Sequence, residues 1–199
     1  MKYSYYTPES GNLNPAVGVT LPQEDKSGAY SWIKAPRYLK LVHEVGPLAR
    51  MWINGDYRRG ISVLDREMAR ALEAQKIAGA MDAWLNLLAP GKATRTTTTM
   101  PATGSGIGMT EAARGALGHW IQIRNSVIDR YQILTPTAWN ASPMDDNGYR
   151  GAIEQALIGT PVVDIKQPIE LLRVIHSFDP CLACSVHTVR PSGKVVRCG

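Results

Sequence analysis

All three cysteines of this 199-residue chain lie close to its end, at Cys181, Cys184 and Cys198. The residues before Cys181 therefore have no thiol that could form a disulfide or bind a metal. Three cysteines are also too few for a secreted domain built on a disulfide scaffold. Their clustering indicates metal or redox chemistry near the end of the chain.

Length and composition are those of an ordinary globular protein with one domain and a core. Hydrophobic residues make up 44% and charged residues 20%. The net charge is +5, but no basic stripe alternates with aromatic residues, so we expect no nucleic acid among the partners. Residues 1–6 lack the apolar segment of a signal peptide. No apolar run approaches the roughly 20 residues that span a bilayer.

A long helix is predicted over residues 62–88, with Ser62 and Asp65 as its N-terminal capping pair. We expect it to pack as an amphipathic element, and Pro90-Gly91 to end it. The apolar residues that recur at helical spacing are Leu64, Met68, Ala71, Leu72, Ala78, Met81, Leu85 and Leu88.

Shorter elements are predicted on either side of this helix. Residues 116–134 have the pattern of a β-hairpin that turns at Asn125-Ser126. A short strand is expected over residues 30–34, and a further helix should begin at Pro168. The glycine-rich stretch at residues 91–108 lacks the spacing of a phosphate-binding loop, so we expect a flexible connection there.

The strongest local signal is the segment Asp179-Pro180-Cys181-Leu182-Ala183-Cys184-Ser185-Val186-His187. Asp179 suits a helix N-cap and Pro180 the first helical position. We therefore expect a short helix with Cys181 in its first turn, where the free N–H groups and the helix dipole favour a thiolate. Cys184 and His187 follow at intervals of three residues, so the helix would present two sulfurs and one imidazole to neighbouring positions.

Several kinds of site remain open on this motif alone. Soft thiolate ligands suit nickel, iron and zinc. A structural zinc site could use Cys181, Cys184 and His187, with Cys198 as a fourth ligand. A redox dithiol is another possibility, although no βαβ pattern surrounds the cysteines.

Five segments together resemble the large subunits of nickel–iron hydrogenases. They follow the family's order and cover nearly all of the chain beyond residue 28. The segments are Ser31-Trp32-Ile33-Lys34-Ala35-Pro36-Arg37-Tyr38, Glu44-Val45-Gly46-Pro47-Leu48-Ala49-Arg50, Glu111-Ala112-Ala113-Arg114-Gly115-Ala116-Leu117-Gly118-His119-Trp120, Thr135-Pro136-Thr137-Ala138-Trp139-Asn140-Ala141-Ser142-Pro143 and Ser177-Phe178-Asp179-Pro180-Cys181-Leu182-Ala183-Cys184-Ser185-Val186-His187.

The resemblance implies a fold that is mainly α with small β elements, the C-terminal portion of the large-subunit fold. It implies heterolytic oxidation of H2, with electrons passed to an iron–sulfur small subunit. The cofactor implied is a nickel–iron centre whose iron carries carbon monoxide and cyanide, with a structural magnesium nearby.

The resemblance also implies roles for the residues around the metals. Cys181 resembles the terminal nickel ligand and Cys184 the ligand that bridges the two metals. Asp179 resembles the acid beside them. His187 resembles a magnesium ligand, and the carbonyl of Ile133 resembles another.

Three further residues resemble those that line the pocket of the diatomic ligands. Arg114 resembles the arginine that lies over the open metal position and touches a cyanide. Pro136 and Thr137 resemble the pocket wall, with Thr137 as a hydroxyl donor. The family usually has proline where this chain has Ala113, which loosens the backbone before Arg114.

These residue types suit the implied chemistry. Splitting H2 heterolytically needs an electrophilic metal and a base that takes the proton. The thiolate of Cys181 or the guanidine of Arg114 could serve as that base, and Asp179 completes the predicted catalytic set. Arg114 and Thr137 also offer donors to anionic ligands of the iron.

We expect the chain to be incomplete as an enzyme because half of the family's four cysteine ligands are absent. The expected partners are the missing N-terminal half of the large subunit, the small subunit and H2. The expected domains are residues 1–187 and an extension, residues 188–199, that a maturation endopeptidase removes by cutting between His187 and Thr188. The form of the motifs resembles that of membrane-associated uptake enzymes, which implies a location on the periplasmic side of the cell membrane. Export with the small subunit, which carries the export signal in this family, is expected, and the lack of a signal peptide in this sequence fits that expectation. A non-catalytic remnant is the alternative, besides the zinc-binding module.

Overall fold

The computed structural model describes residues 2–7 and 14–181, together with the backbone of residues 187–189 and 195–197. Five helices lie in this part of the chain: Pro47–Asn54 (α1), Val63–Asn86 (α2), Pro136–Asn140 (α3), Ala152–Leu157 (α4) and Ile169–Ser177 (α5). The strands are Thr103–Ala112 (β1), Gly115–Arg124 (β2), Val127–Leu134 (β3), His187–Val189 (β4) and Val195–Arg197 (β5).

The predicted long helix is confirmed as α2. Ser62 caps it: its hydroxyl accepts from the amide of Asp65, and the Asp65 carboxylate accepts from the amide of Ser62. This reciprocal pair satisfies two of the N–H groups that a helix start leaves without partners. None of the helices in the described residues is both long and apolar enough to cross a membrane.

The predicted hairpin is confirmed as β2 and β3, which pair antiparallel. Asn125 and Ser126 form its turn, both with positive φ, as a two-residue hairpin turn of the primed type requires. A third strand, β1, pairs with β2 along its whole length from Thr103 to Ala112. The prediction of a flexible connection over residues 91–108 was therefore wrong for the part from Thr103 onward.

Two small hydrophobic clusters form the core of the described residues. One lies between α1 and α2 and contains Leu48, Met51, Tyr57 and Ala69. The other lies between α4 and α5 and contains Ile153, Val174 and Phe178. Helices and an antiparallel sheet thus share the structure, so the predicted class agrees broadly, although the sheet is larger than expected.

Two smaller predictions need correction. The stretch predicted as a strand at residues 30–34 makes only an isolated bridge, between Ser31 and Ser4. The helix expected at Pro168 is present as α5, but Pro168 is its N-cap and Ile169 its first residue.

Candidate metal centre

Arg114 lies in the tight turn between β1 and β2. The next residue, Gly115, has φ of +130°, and a Cβ there would lie 2.6 Å from Cγ2 of Val45 and 2.7 Å from the amide nitrogen of Gly46. Only glycine adopts this backbone and permits so close an approach. The turn is therefore seated against the loop that precedes α1, which fixes where the Arg114 side chain starts.

The Arg114 side chain reaches across to Asp179, 65 residues further along the chain. Its Nε donates to the carbonyl oxygen of Asp179 at 2.9 Å, and Nη2 donates to Oδ1 at 3.4 Å. The carboxylate also pairs with the guanidinium, with Oδ2 3.3 Å from Nε. Both side chains are about half exposed, so they form an ion pair on an open surface.

Thr137 and Cys181 meet a short distance along the same loop. Thr135 caps α3 by accepting from the amide of Ala138, and Pro136 occupies the first turn, where its missing N–H has no cost. Thr137 follows and is buried. Its hydroxyl oxygen accepts from the amide of Cys181 at 3.0 Å, which fixes the backbone that carries the cysteine.

Asn140 is a site residue to which sequence analysis gave no role. It is buried near the end of α3, where its Oδ1 accepts from the amide of Val45 and its Nδ2 donates to the carbonyl of Val45, both at 2.9 Å. The helix that carries Thr137 is thereby fixed to the loop that supports Arg114. Nothing in the local pattern around Asn140 signals this pairing, because the two residues are 95 positions apart.

The short helix predicted to begin at Asp179 is not observed in the described residues. Asp179 has φ of +49°, a left-handed conformation that follows the end of α5 and is incompatible with an extended N-cap. Pro180 and Cys181 are not helical, and the backbone of His187 lies in β4 rather than in a helix. Asp turns the chain here because its side chain tolerates the left-handed region.

The remaining predicted residues are placed only in part. Ile133 lies in β3, opposite His119. The backbones of His187 and Thr188 lie in β4, opposite Arg197 and Val196. Cys184 lies outside the described residues. Its predicted role, and those of Ile133, His187 and Thr188, stay predictions.

The described residues provide donor atoms for one side of a metal site. Cys181 and Asp179 provide a sulfur and a carboxylate within one loop, and sulfur is a donor that nickel favours. No group of three or more His, Cys, Asp or Glu side chains suited to a metal is found within the described part of the chain. The sulfur and the carboxylate in this loop are donors that fit a thiolate-bound metal.

A separate groove lies near this region. It measures about 1350 Å³ and lies on the other side of the loop at Val45 and Gly46, lined by Lys34, Arg37 and Trp139 among others. Neither Arg114 nor Cys181 lines it. The residues with metal chemistry therefore sit on an open face and not in this groove.

Comparisons with known proteins agree on one class. The model of the family described as nickel-dependent hydrogenase matches residues 1–61 and 54–187. The periplasmic NiFeSe hydrogenase large subunit of Desulfomicrobium baculatum is 42% identical, over 90% of this chain and 40% of its own length. The uptake hydrogenase large subunit of Bradyrhizobium diazoefficiens is 40% identical, over 95% of this chain and 39% of its own length.

A solved structure is similar over the same extent. The Ni-Fe-Se hydrogenase of Desulfovibrio vulgaris Hildenborough superposes with a TM-score of 0.87 at 42% identity, covering 92% of this chain and 44% of that chain. The fold and the motifs are thus those of hydrogenase large subunits. The chain belongs to the nickel-dependent hydrogenase family. It spans about two fifths of the length of the relatives it matches.

Proposed function

We propose that this chain is the C-terminal part of the large, catalytic subunit of a nickel–iron hydrogenase that oxidises H2 to protons and electrons. One observation carries the proposal. Arg114, Thr137, Asp179 and Cys181 are joined in two direct contacts, Arg114 to Asp179 and Thr137 to Cys181, although 44 to 65 residues separate the partners. The guanidinium of Arg114 and the hydroxyl of Thr137 thereby contact the loop that carries the carboxylate of Asp179 and the sulfur of Cys181.

Cys181 and Cys184 are the proposed protein ligands of the metals. When bound, a nickel–iron centre with carbon monoxide and cyanide on its iron supplies the electrophile that polarises H2. A thiolate at Cys181 and the carboxylate of Asp179 can each accept and release a proton beside it. Thr137 contributes by fixing the Cys181 amide, so that the sulfur starts from a defined backbone position.

Arg114 and Thr137 are the proposed donors to the anionic ligands, with Pro136 as the adjoining wall. Nε and Nη2 of Arg114 are used by Asp179, whereas Nη1 has no partner among the described residues. The hydroxyl of Thr137 accepts from Cys181 and keeps its own proton to donate. Donors held in this way can bind an anion without first giving up another partner.

The finer parts of the proposal rest on the resemblance. His187 and the carbonyl of Ile133 are proposed to bind a structural magnesium. Residues 188–199 are proposed as an extension that a maturation endopeptidase removes by cutting between His187 and Thr188. The periplasmic and uptake hydrogenases among the relatives support a location on the periplasmic side of the membrane, reached together with an iron–sulfur small subunit.

A second cysteine pair is proposed to come from an N-terminal half of the large subunit. No cysteine precedes Cys181, and the matched relatives are more than twice as long. We therefore expect the 199-residue chain alone neither to retain nickel nor to oxidise H2, since two thiolates leave such a centre under-coordinated.

Reconstitution tests the proposal. The chain is co-expressed with an N-terminal half that bears the other cysteine pair, the small subunit and the maturation system. Nickel content, H2 uptake and the mass of the chain are then measured. We expect nickel, activity and a mass loss that matches residues 188–199. Cys181→Ser should abolish nickel binding and activity, whereas the matched variant Cys198→Ser should retain both.

Other results would point elsewhere. Zinc bound by the isolated chain, and lost on Cys181→Ser and Cys198→Ser alike, would favour the zinc-binding module. A complex that assembles with its partners but binds no metal would favour the non-catalytic remnant. Stable nickel and H2 uptake by the isolated, uncut chain would contradict the proposal.

A further inference from the structure

One face of α2 carries three charged residues that all point towards the candidate site. Arg66, Arg70 and Glu73 are separated by four and three residues, so they lie on the same side of the helix. Ala69, between them, has an exposed fraction of 0%. The face is therefore packed against the rest of the chain around Ala69, while the Arg70 side chain stays about one third exposed and also pairs with Glu67.

The first arm of contacts runs from Glu73 to the turn that holds Arg114. Both carboxylate oxygens of Glu73 accept from Arg50, from Nε and Nη2 at 2.6 Å each. Arg50 in turn donates to the carbonyls of Ala112 at 3.1 Å and Ala113 at 3.0 Å. Glu73, foremost, raises the pKa of Arg50. The two residues immediately before Arg114 are thus held by an arginine that α2 orients.

The second arm runs from Arg70 to the loop that holds Asp179. Nη2 of Arg70 donates to the carbonyl of Ser177 at 2.7 Å, at the end of α5. Arg66 lies over the ring of the next residue, Phe178, 3.8 Å from its centre, and pairs with Glu44 at 2.8 Å. The residues immediately before Asp179 are therefore fixed by the same helix face.

The two arms meet at the contact between Arg114 and Asp179. We infer that α2 sets the position of Arg114 relative to Asp179, with Arg70 and Glu73 as positioning residues for the proposed hydrogenase site. Each acts through a neighbour, Arg70 through Ser177 and Glu73 through Arg50. The positioning of Arg114 is argued from contacts within this chain. Only its consequence for catalysis rests on the proposed function.

Hydrogen exchange at Nε of Arg114 tests the inference on the full 199-residue chain, with no metal bound. The Nε–H signal is identified by NMR from its loss in Arg114→Lys. Arg70→Met and Glu73→Gln should each speed its exchange about tenfold, the effect of losing roughly one hydrogen bond to a charged group. Arg70→Lys keeps a donor for the Ser177 carbonyl and should restore most of the protection.

Lys76→Met is the matched control on the same helix. It removes an exposed ion pair with Asp56, 2.6 Å long, that touches no site residue. In Lys76→Met the exchange rate of the Arg114 Nε–H should stay within about twofold of the rate in the unchanged chain, which is the effect expected of a surface substitution. Unfolding by denaturant checks that every variant is folded. Equal rates in Arg70→Met, Glu73→Gln and Lys76→Met would overturn the inference.

The assembled enzyme gives a second readout, the infrared stretching bands of the cyanide ligands. Arg70→Met and Glu73→Gln should shift these bands, since Arg114 is their proposed donor, while Lys76→Met should leave them in place. Unshifted bands in a loaded enzyme would overturn the inference. An assembled enzyme without nickel would instead refute the proposed function, and the exchange rates on the chain alone would still decide the positioning.

Discussion

Two faces of α2 differ both in chemistry and in surroundings. The charged face, with Arg66, Arg70 and Glu73, is turned inward and paired with Glu44, Ser177 and Arg50. The apolar residues at helical spacing are mostly exposed, for example Leu64 at 68% and Leu85 at 62%. In an ordinary amphipathic helix the apolar face packs and the charged face is solvated. Here the packing prediction for residues 62–88 was wrong in its choice of face.

The difference shows what each face contributes. Ion pairs and carbonyl contacts on the inner face fix the relative positions of the elements they join. The reason is that the planar guanidinium of arginine binds its partners in a defined orientation. The exposed apolar side chains contribute little to the stability of this chain, since they remain in water. Substitutions on the two faces should therefore have unequal effects on the free energy of unfolding.

The largest effect is expected for Arg66→Met on the inner face. The Arg66 side chain is only 7% exposed, and removing it leaves the Glu44 carboxylate without its partner. Breaking such a pair from one side costs about 3 kcal/mol. Denaturant unfolding with Arg66→Met, compared with Lys76→Met, measures this. A loss no greater than that of the control would show that the inner pair is not structural.

A smaller loss of unfolding free energy is expected for Ala69→Leu. Ala69 has no exposed surface and packs against Leu48, Met51 and Tyr57. Extra methylene groups in a packed site cost about 2 kcal/mol. The matched substitution on the outer face is Ala71→Leu, which should leave the unfolding free energy nearly unchanged. Equal losses from both would mean that the outer face is packed too.

A pH-dependent effect is expected at the start of α2. Hydrogen bonds from Ser62, then from Tyr57, lower the pKa of Asp65 below its ordinary value of 3.8. A carboxyl whose folded pKa is lowered stabilises the fold above the unfolded pKa, and that contribution is lost as the pH falls through the folded pKa. The melting temperature of Asp65→Asn should lie below that of the unchanged chain at pH 6, and the gap should close towards pH 3.

The ionised carboxylate of Asp65 explains the difference in melting temperature only if that difference depends on pH. A gap that stays constant between pH 6 and pH 3 would show that Asp65 acts by shape alone. Asp82→Asn, further along the same helix, is the control.

Sequence predicted what is determined locally. The start of α2 follows from Ser62 and Asp65, and the hairpin turn from Asn125-Ser126, because neighbours within four residues decide both. The inner face of α2 could not be found in this way, since Arg66 and Glu73 take their partners from far along the chain. β1 was missed for a similar reason: its glycines weaken the strand pattern, and pairing with β2 overrides it.

The same distinction between local and long-range contacts applies to the candidate site. The sequence motifs identified four candidate residues, Arg114, Thr137, Asp179 and Cys181. In the structure Arg114 contacts Asp179, and Thr137 contacts Cys181. The predicted helix start at Asp179 was wrong because suitable capping residues do not exclude a left-handed turn after a preceding helix. Asn140 was missed because its partner, Val45, is distant in sequence. Local chemistry thus identified candidate residues, but it did not give the backbone that holds them.

The smallest effect on stability is expected on the outer face of α2. Leu64 and Leu85 are both mostly exposed, so Leu64→Lys and Leu85→Lys remove little buried surface and should change the unfolding free energy by less than about 0.5 kcal/mol. Their effect should appear in association instead, because exposed apolar surface promotes aggregation. Light scattering should show less aggregate for the double variant than for the unchanged chain at equal concentration. A stability loss above about 1 kcal/mol would show that this face is buried in the chain, and the contrast between the two faces would then fail.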